Sequence, residues 1–380
     1  MTAQPVAGEF PLLAGALTRC LDTIETCAVP QADQCGWGTW ELDQRGEPSA
    51  LSAARPSLYD GNAGIAWALR TLARDSGPAP AGRTEATPGL LGGSTGVCLA
   101  AGVAPRPERA GRGSDLGGGL AGDLLALVRT GSPLAEVAPL VAALVEAARW
   151  DGEGCCWPDS GEGEALCGLA HGVSGVILAL AEATAAFPEL GGRALPLVSG
   201  GLRWEAAWFD PVSGGWPDLR GGGPVTYPVM WCHGAAGIAA VRLRLLQLHL
   251  PLDYPVDAVR AEAHAGVLAC GRELTRVAAR ARTGGLAAVP GGLTLCHGLG
   301  GPLDVLVLAG QTWHDPAHLH AARRIASDLL TLAPDDPLEW PTGLRVDGCL
   351  GLFVGTAGTA LLLGRLLEPE RIGSLSLLAF

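Results

Sequence analysis

Along this chain, short apolar runs recur, each entered through the same small-residue turn. The runs include IAWALRTLA (65–73), DLLALVRT (123–130), VILALAEATAA (176–186), IAAVRLRLLQL (238–248), PLDVLVLAG (302–310) and TALLLGRLL (359–367). They are rich in Ala, Leu and Val without two-residue alternation, which predicts helix rather than strand. Apolar residues on nearly every side predict helices buried all round. Between them lie amphipathic stretches, PLAEVAPLVAALVEAARW (133–150), VDAVRAEAHAGVLACGRELTRVAARA (256–281) and HLHAARRIASDLLTLA (318–333), with Arg and Glu on one face as outer helices carry them.

The turn before each apolar run is Gly-x-x-Gly or a close variant: DGNAG (60–64), GGSTG (92–96), GGLAG (118–122), HGVSG (171–175), HGAAG (233–237), HGLGG (297–301) and VGTAG (354–358). One buried and one amphipathic helix per unit, at a spacing near 60 residues, predicts a ring of helical hairpins. The expected fold is all-α: a double-layered α/α barrel, or toroid, of about seven hairpin repeats, with the buried helices inside. The first two repeats are expected to be shortened, because the second glycines at 64, 96 and 122 leave no room for full hairpins. The segments 75–89 and 102–115 are also full of Pro and Gly. The whole of 1–380 reads as one domain, with 1–55 a helical lead-in and 56–380 the repeat barrel. The glycines are expected to supply positive φ and close backbone approach in the turns.

Composition narrows the function. The chain of 380 residues is 48% hydrophobic, and its formal charge is −12 with no basic runs, so phosphate-backbone binding is a poor fit and no nucleic-acid partner is expected. The apolar runs are too short to span a bilayer, and MTAQPVAGEF lacks the layout of a signal peptide. A cytoplasmic setting is expected, in which the 11 cysteines serve as buried apolar residues or metal ligands.

Two repeats carry Cys-His-Gly: MWCHGAAG (230–237) and TLCHGLGG (294–301). Cys232, Cys296 and His297 offer two thiolates and an imidazole, a set that suits zinc and leaves a fourth tetrahedral position open, as catalytic sites do. The bland alternative is two buried cysteines beside histidines. His233 as a fourth ligand would instead close the site. His171 occupies the position equivalent to His233 and His297 in the preceding repeat and reads as an acid or base. Asp60 reads as a helix cap, Asp115 as a cap or a site residue, and Asp304 as a structural acceptor. GGWPDLR (214–220) and CCWPDSGEG (155–163) read as turns whose Trp-Pro pairs could wall a cavity.

LYDGNAGIAWAL, DLGGGLAGDLLAL, CGLAHGVSGV, MWCHGAAGI, TLCHGLGGPLDVL and GLFVGTAGTALLLGRL together resemble the lanthionine synthetase C-like cyclases, most nearly the C-terminal cyclase domain of bifunctional class II lanthipeptide synthetases. The resemblance runs from Leu58 to the end of the chain. It implies an α/α toroid, zinc ligands at Cys232, Cys296 and His297, and active-site roles for His171 and Asp115. The implied reaction adds a peptide cysteine thiol to a dehydroalanine or dehydrobutyrine of the same ribosomally made peptide, closing a thioether ring. The implied partner is a dehydrated precursor peptide; with no dehydratase segment recognised here, either a separate dehydratase supplies it or the chain is a stand-alone or degenerate relative. Some single-domain members carry an arginine four residues before the first ligand cysteine; that position is Pro228, so an arginine would have to come from elsewhere, with Arg220 a candidate. Rival readings are addition of glutathione or another thiol, another zinc-thiolate alkylation such as prenyl transfer, a glycosidase using Asp60 and Asp115, and a non-catalytic peptide-binding scaffold.

Overall fold

The computed structural model describes residues 9–31, 34–42, 48–73, 87–107, 112–158, 164–221, 223–343 and 348–379. Its elements in order are α1 (Pro11–Thr26), β1 (Ala28–Gln31), β2 (Gln34–Leu42), β3 (Pro48–Ala53), α2 (Asn62–Thr71), α3 (Ser94–Ala101), α4 (Leu120–Arg129) and α5 (Leu134–Ala147). There follow β4 (Arg149–Asp151), β5 (Gly154–Cys156), α6 (Val173–Ala186), α7 (Gly191–Ala206), α8 (Ala235–Leu248), α9 (Val256–Gly284), α10 (Gly300–Trp313), α11 (Pro316–Leu330) and α12 (Thr356–Leu367). The chain divides into two compact units, residues 1–84 with 271–380, and residues 85–270.

In the first unit α12 packs against α1, α2 and α10, while α11 packs against α10 and α1. All twelve residues of α12 are buried, as its largely apolar run predicts, whereas α11 buries only Ala322, Arg323, Ala326, Leu329 and Leu330. In the second unit α6 packs against α4, α7 and α8, and α4 also meets α3 and α5. Residues 173–184 of α6 are buried throughout, while α5 buries Val137, Leu140, Val141 and Leu144, a single stripe at helical spacing. Among the described residues no helix lies between α2 and α3 or between α3 and α4. The linker at 75–86, residues 108–111 and residues 159–163 of the second Trp-Pro segment lie outside the described residues. No helix among those described is long and apolar enough to cross a membrane.

The expected helical lead-in divides in two. PLLAGALTRCLDTIET forms α1, but β1, β2 and β3 after it form an antiparallel three-stranded sheet in that order. Val29 pairs with Gly36, and Trp40 with Leu51. The run QCGWGTWEL mixes aromatic and β-branched residues with glycine, which favours a paired, pleated ribbon over a helix.

The repeated turns have a shared backbone logic. None of the inner helices α2, α3, α4, α6, α8 and α12 has a side-chain cap. Their first N–H groups instead donate to the carbonyl seven residues upstream: Asn62 to Arg55 (2.8 Å), Ser94 to Thr87 (3.0 Å), Leu120 to Gly113 (2.9 Å), Val173 to Leu166 (2.9 Å), Ala235 to Pro228 (3.0 Å) and Thr356 to Cys349 (3.0 Å). Donors that a helix N-terminus leaves open are thus satisfied by the incoming loop itself. Asp60 is accordingly no cap; its Oδ1 accepts the Ser57 hydroxyl at 2.5 Å.

The glycines serve close approach more than positive φ. Gly61, Gly93, Gly119, Gly172 and Gly355 are extended, and only Gly234 of the corresponding set is left-handed, at φ +89°. The second glycines Gly122, Gly175 and Gly237 lie in the first helical turn, against the carbonyl six residues upstream and the preceding repeat. A Cβ on Gly175 would lie 2.8 Å from the Leu116 Cβ, and one on Gly237 would lie 2.7 Å from the Leu169 Cβ.

Candidate active site

Neighbouring turns within each unit are joined at one position, the residue just before the His-Gly or its equivalent. In the second unit Leu91 N–H donates to Gly117 O (2.9 Å), Gly117 N–H to Ala170 O (2.8 Å) and Ala170 N–H to Cys232 O (3.1 Å). In the first unit Cys296 N–H donates to Phe353 O and Phe353 N–H to Tyr59 O, both at 2.9 Å. The two cysteines therefore stand at equivalent points of a repeating main-chain link. The histidine after each one stands at the start of an inner helix.

The second unit gathers Asp115, His171, Cys232 and His233. Asp115 Oδ2 lies 2.7 Å from His171 Nδ1, and its Oδ1 accepts the Gly118 N–H at 2.8 Å. Cys232 and His233 are buried, whereas the His171 side chain is 48% exposed and that of Asp115 22%, so the pair opens to solvent on the imidazole side. Burial pushes the Asp115 carboxyl up, but the hydrogen bond with His171, the N–H groups of Gly118 and Gly119 and the imidazolium charge outweigh it, leaving the carboxyl below its ordinary range. The Asp115 hydrogen bond raises the His171 pKa against the opposing effect of burial; the charges of Asp115 and Cys232 add to the rise, and Arg220 offsets part of it. With Nδ1 held by the carboxylate, the other ring nitrogen, Nε2, is left to exchange protons.

His233 stacks on His171 with ring centroids 5.8 Å apart and planes inclined by 24°. Burial drives its pKa down, as do the Arg220 and His171 charges, against smaller opposing effects of Cys232 and Asp218. Arg220 is half exposed and forks onto Asp218 at 2.9 and 2.7 Å; those hydrogen bonds are the largest cause of an Asp218 pKa of about 2. The sequence signal for this pair is the PDLR of GGWPDLR, which by itself reads only as a turn. The Trp-Pro pairs do not wall a cavity. Trp216 is fully buried and donates to Glu205 O at 3.0 Å, and Trp157 is buried and donates to Leu144 O at 2.8 Å.

The first unit presents Cys296 and His297. Cys296 Sγ lies 3.7 Å from His297 Nε2. Two ligands of a tetrahedral zinc ion, at bond lengths of about 2.3 Å to sulfur and about 2.05 Å to nitrogen, would lie roughly 3.6 Å apart, so this pair already has the spacing of metal ligands. His297 Nδ1 is buried without a hydrogen-bond partner among the described residues. Gly343, at φ +78°, backs the ring; a Cβ there would stand 2.9 Å from the His297 Cβ. Asp304 takes no part in this site. It accepts from Arg365 Nε (2.5 Å), Ser374 Oγ (2.7 Å) and Ser376 N–H (2.9 Å), tying the C-terminal segment to α10, the structural role expected of it.

Residues 47–378 match the family described as lanthionine synthetase C-like protein. No curated protein matches the chain. Among solved structures, nisin cyclase is similar over 85% of this chain and 80% of its own, at 14% identity and a TM-score of 0.53. That likeness is one of fold, and with the helical content of the chain it fits an α/α toroid.

Proposed function

Because the chain belongs to the lanthionine synthetase C-like family, we propose that it is a zinc-dependent cyclase, closing thioether rings in a dehydrated, ribosomally made peptide. The observation that carries this reading is the Asp115–His171 hydrogen bond of 2.7 Å beside the Cys232 turn. A buried cysteine next to a carboxylate-held, solvent-facing imidazole is the combination that thiol addition with proton return requires.

Cys232, Cys296 and His297 would hold the zinc ion; two thiols and an imidazole are a donor set that zinc takes with a fourth position free. When bound, zinc lowers the pKa of a substrate thiol so that sulfur is nucleophilic at neutral pH, against about 8.5 for a free thiol. The remaining chemistry belongs to the chain. The peptide sulfur bonds to the β-carbon of the dehydro residue, and the π electrons of the C=C bond move to the α-carbon and its carbonyl as an enolate. His171 Nε2 delivers a proton to the α-carbon, and the proton released by the thiol restores the balance, so that S–H has added across C=C. Asp115 holds Nδ1 and stabilises the charged imidazole before transfer. His233, stacked on the inner side, fixes the ring plane. Dehydration is a separate reaction that must precede this one.

The test uses a short peptide with one cysteine and one dehydroalanine. Cyclisation leaves the mass unchanged, so free thiol is counted by alkylation and mass spectrometry. The wild-type protein is expected to remove the thiol, and Cys232→Ala to leave it at the uncatalysed rate. Equal thiol loss with both would refute the proposal.

A further inference from the structure

Eleven large hydrophobic residues among those described are exposed, and four of them fall within the twenty residues that lead into the Cys232 turn: Trp208 (42%), Val212 (94%), Val225 (62%) and Tyr227 (38%). They share one base. The Asp210–Gly215 bridge closes a turn that includes Val212, and a Cβ on Gly215 would meet the Tyr227 Cβ at 3.9 Å. Asp218 N–H donates to Thr226 O at 2.8 Å, linking the strand of residues that carries Val225 and Tyr227 to the WPD turn. Beneath, Phe209 packs on the buried Trp216 with centroids 4.9 Å apart, and Trp208 meets Trp204 at 5.9 Å. The apolar surface is therefore seated on core packing, while its outward groups remain in water, which carries a standing cost unless something covers them.

The surface runs into the site already described. The Val229–Gly234 bridge brackets Cys232 and His233. Tyr227 stands two residues before Val229, the first partner of that bridge, so the apolar surface continues along the chain into the Cys232 turn. An object resting on Val225 and Tyr227 thus lies beside the segment that enters the Cys232 turn. A second copy of the chain seated there would cover the entry to that turn. An anionic membrane surface is disfavoured by the net charge of −12.

We infer that Trp208, Val212, Val225 and Tyr227 are the docking surface for the substrate peptide, receiving apolar side chains that flank the residues being joined. The inference rests on the cyclase reading for the identity of the occupant. It adds a sequence preference: peptides with apolar or aromatic residues beside the reacting pair are held, and polar ones of equal length are not.

Two fluorescently labelled probes of about 14 residues test this, each with Ser and Ala in place of the reacting cysteine and dehydroalanine so that no covalent step occurs. One carries Val, Leu and Phe on both flanks, the other Ser, Asn and Gln. Anisotropy titrations of the wild-type protein are expected to favour the apolar probe by about tenfold, the order expected for burying one or two such side chains. The Val225→Ser/Tyr227→Ser double variant is expected to lose most of that preference with circular dichroism unchanged. Leu268→Ser, at another exposed apolar position on α9 (61% exposed), is expected to keep it. No preference in the wild-type protein, no effect of the double variant, or an equal effect of Leu268→Ser would each overturn the docking surface. A reactive Cys/dehydroalanine version of the apolar probe separates the two readings. Preference without thiol loss refutes the cyclase and spares the surface; thiol loss without preference refutes the surface alone.

Discussion

Among single residues, the most consequential contact is the one between Asp115 and His171. The two are 56 positions apart in the chain and meet because successive turns of the repeat are linked through Gly117 and Ala170. Replacing His171 with Ala removes the proposed proton donor, and kcat for thiol addition is expected to fall about 100-fold or more. Asp115→Asn keeps the size of the side chain but removes the charge that favours imidazolium, and is expected to lower kcat by roughly tenfold or more with KM little changed. A stopped-assay series on the Cys/dehydroalanine peptide measures both; a KM effect alone would assign the pair to binding instead. His171 stands out in the sequence because it shares a position with His233 and His297. Asp115 does not, since an aspartate ahead of a helix is as often a cap, and only family resemblance singles it out. The stacking of His233 on His171 is not legible there, because it depends on contact between successive turns, and the Arg220–Asp218 fork, local as it is, reads in the sequence only as a turn.

For the helices and the turns between them, the glycines show why the repeat is readable at all. A position where a methyl group would collide with main chain and with the neighbouring repeat tolerates little but glycine, so the steric demand is written into the sequence at every copy. Gly237→Ala would press on the Trp231 carbonyl and the Leu169 Cβ, and is expected to cost about 2 kcal/mol or more in denaturant unfolding. Gly271→Ala, in α9 with nothing within 4 Å of the added carbon, is expected to stabilise by about 0.5–1 kcal/mol. Reversal of that order would show that the turns tolerate separation. What the turns do not reveal in sequence is conformation: close packing and positive φ both select glycine, and the first of these dominates here. The sheet of β1, β2 and β3 is hidden for a related reason, since short strands draw stability from partners that a local pattern does not show.

The inner helices of the second unit are also joined by charge. Glu182 of α6, buried, accepts from Arg129 of α4 at 3.0 and 3.2 Å and from Arg244 of α8 at 2.7 and 3.2 Å. Burial raises the Glu182 carboxyl, but the two arginines together outweigh it and leave its pKa below the ordinary value. A carboxylate with a depressed folded pKa stabilises the protein fully above its unfolded pKa of about 4.3, and that contribution is lost as pH falls through the folded value. Thermal unfolding from about pH 7 to about pH 3 is therefore expected to show a decline that Glu182→Gln lacks in part. The substitution should also cost about 2 kcal/mol at neutral pH, less than for a fully buried pair because both arginines reach solvent. If the Glu182→Gln protein kept the wild-type pH profile, Glu182 would have no share in the acid sensitivity.

Across the entire chain, membership in the family spans residues 47–378, so both cysteine turns and the Asp115–His171 pair fall inside it. The helical repeat is legible from apolar periodicity because helices buried along their whole length, such as α12, leave no polar face to confuse the reading. The proposed metal is legible only as chemistry: a Cys-His pair at equivalent positions of two repeats, one of which shows a sulfur–nitrogen spacing of 3.7 Å. The proposed mechanism stands or falls on one zinc ion bound by Cys232, Cys296 and His297. The deciding experiment is the metal content of the purified protein by inductively coupled plasma mass spectrometry after metal-replete expression without chelator, with Cys232→Ala, Cys296→Ala and His297→Ala alongside and helical circular dichroism as the control for folding. One equivalent of zinc in the wild-type protein, falling well below one in all three folded variants, is the predicted result. A zinc-free wild-type protein, or full zinc retained in any of the variants, would contradict it.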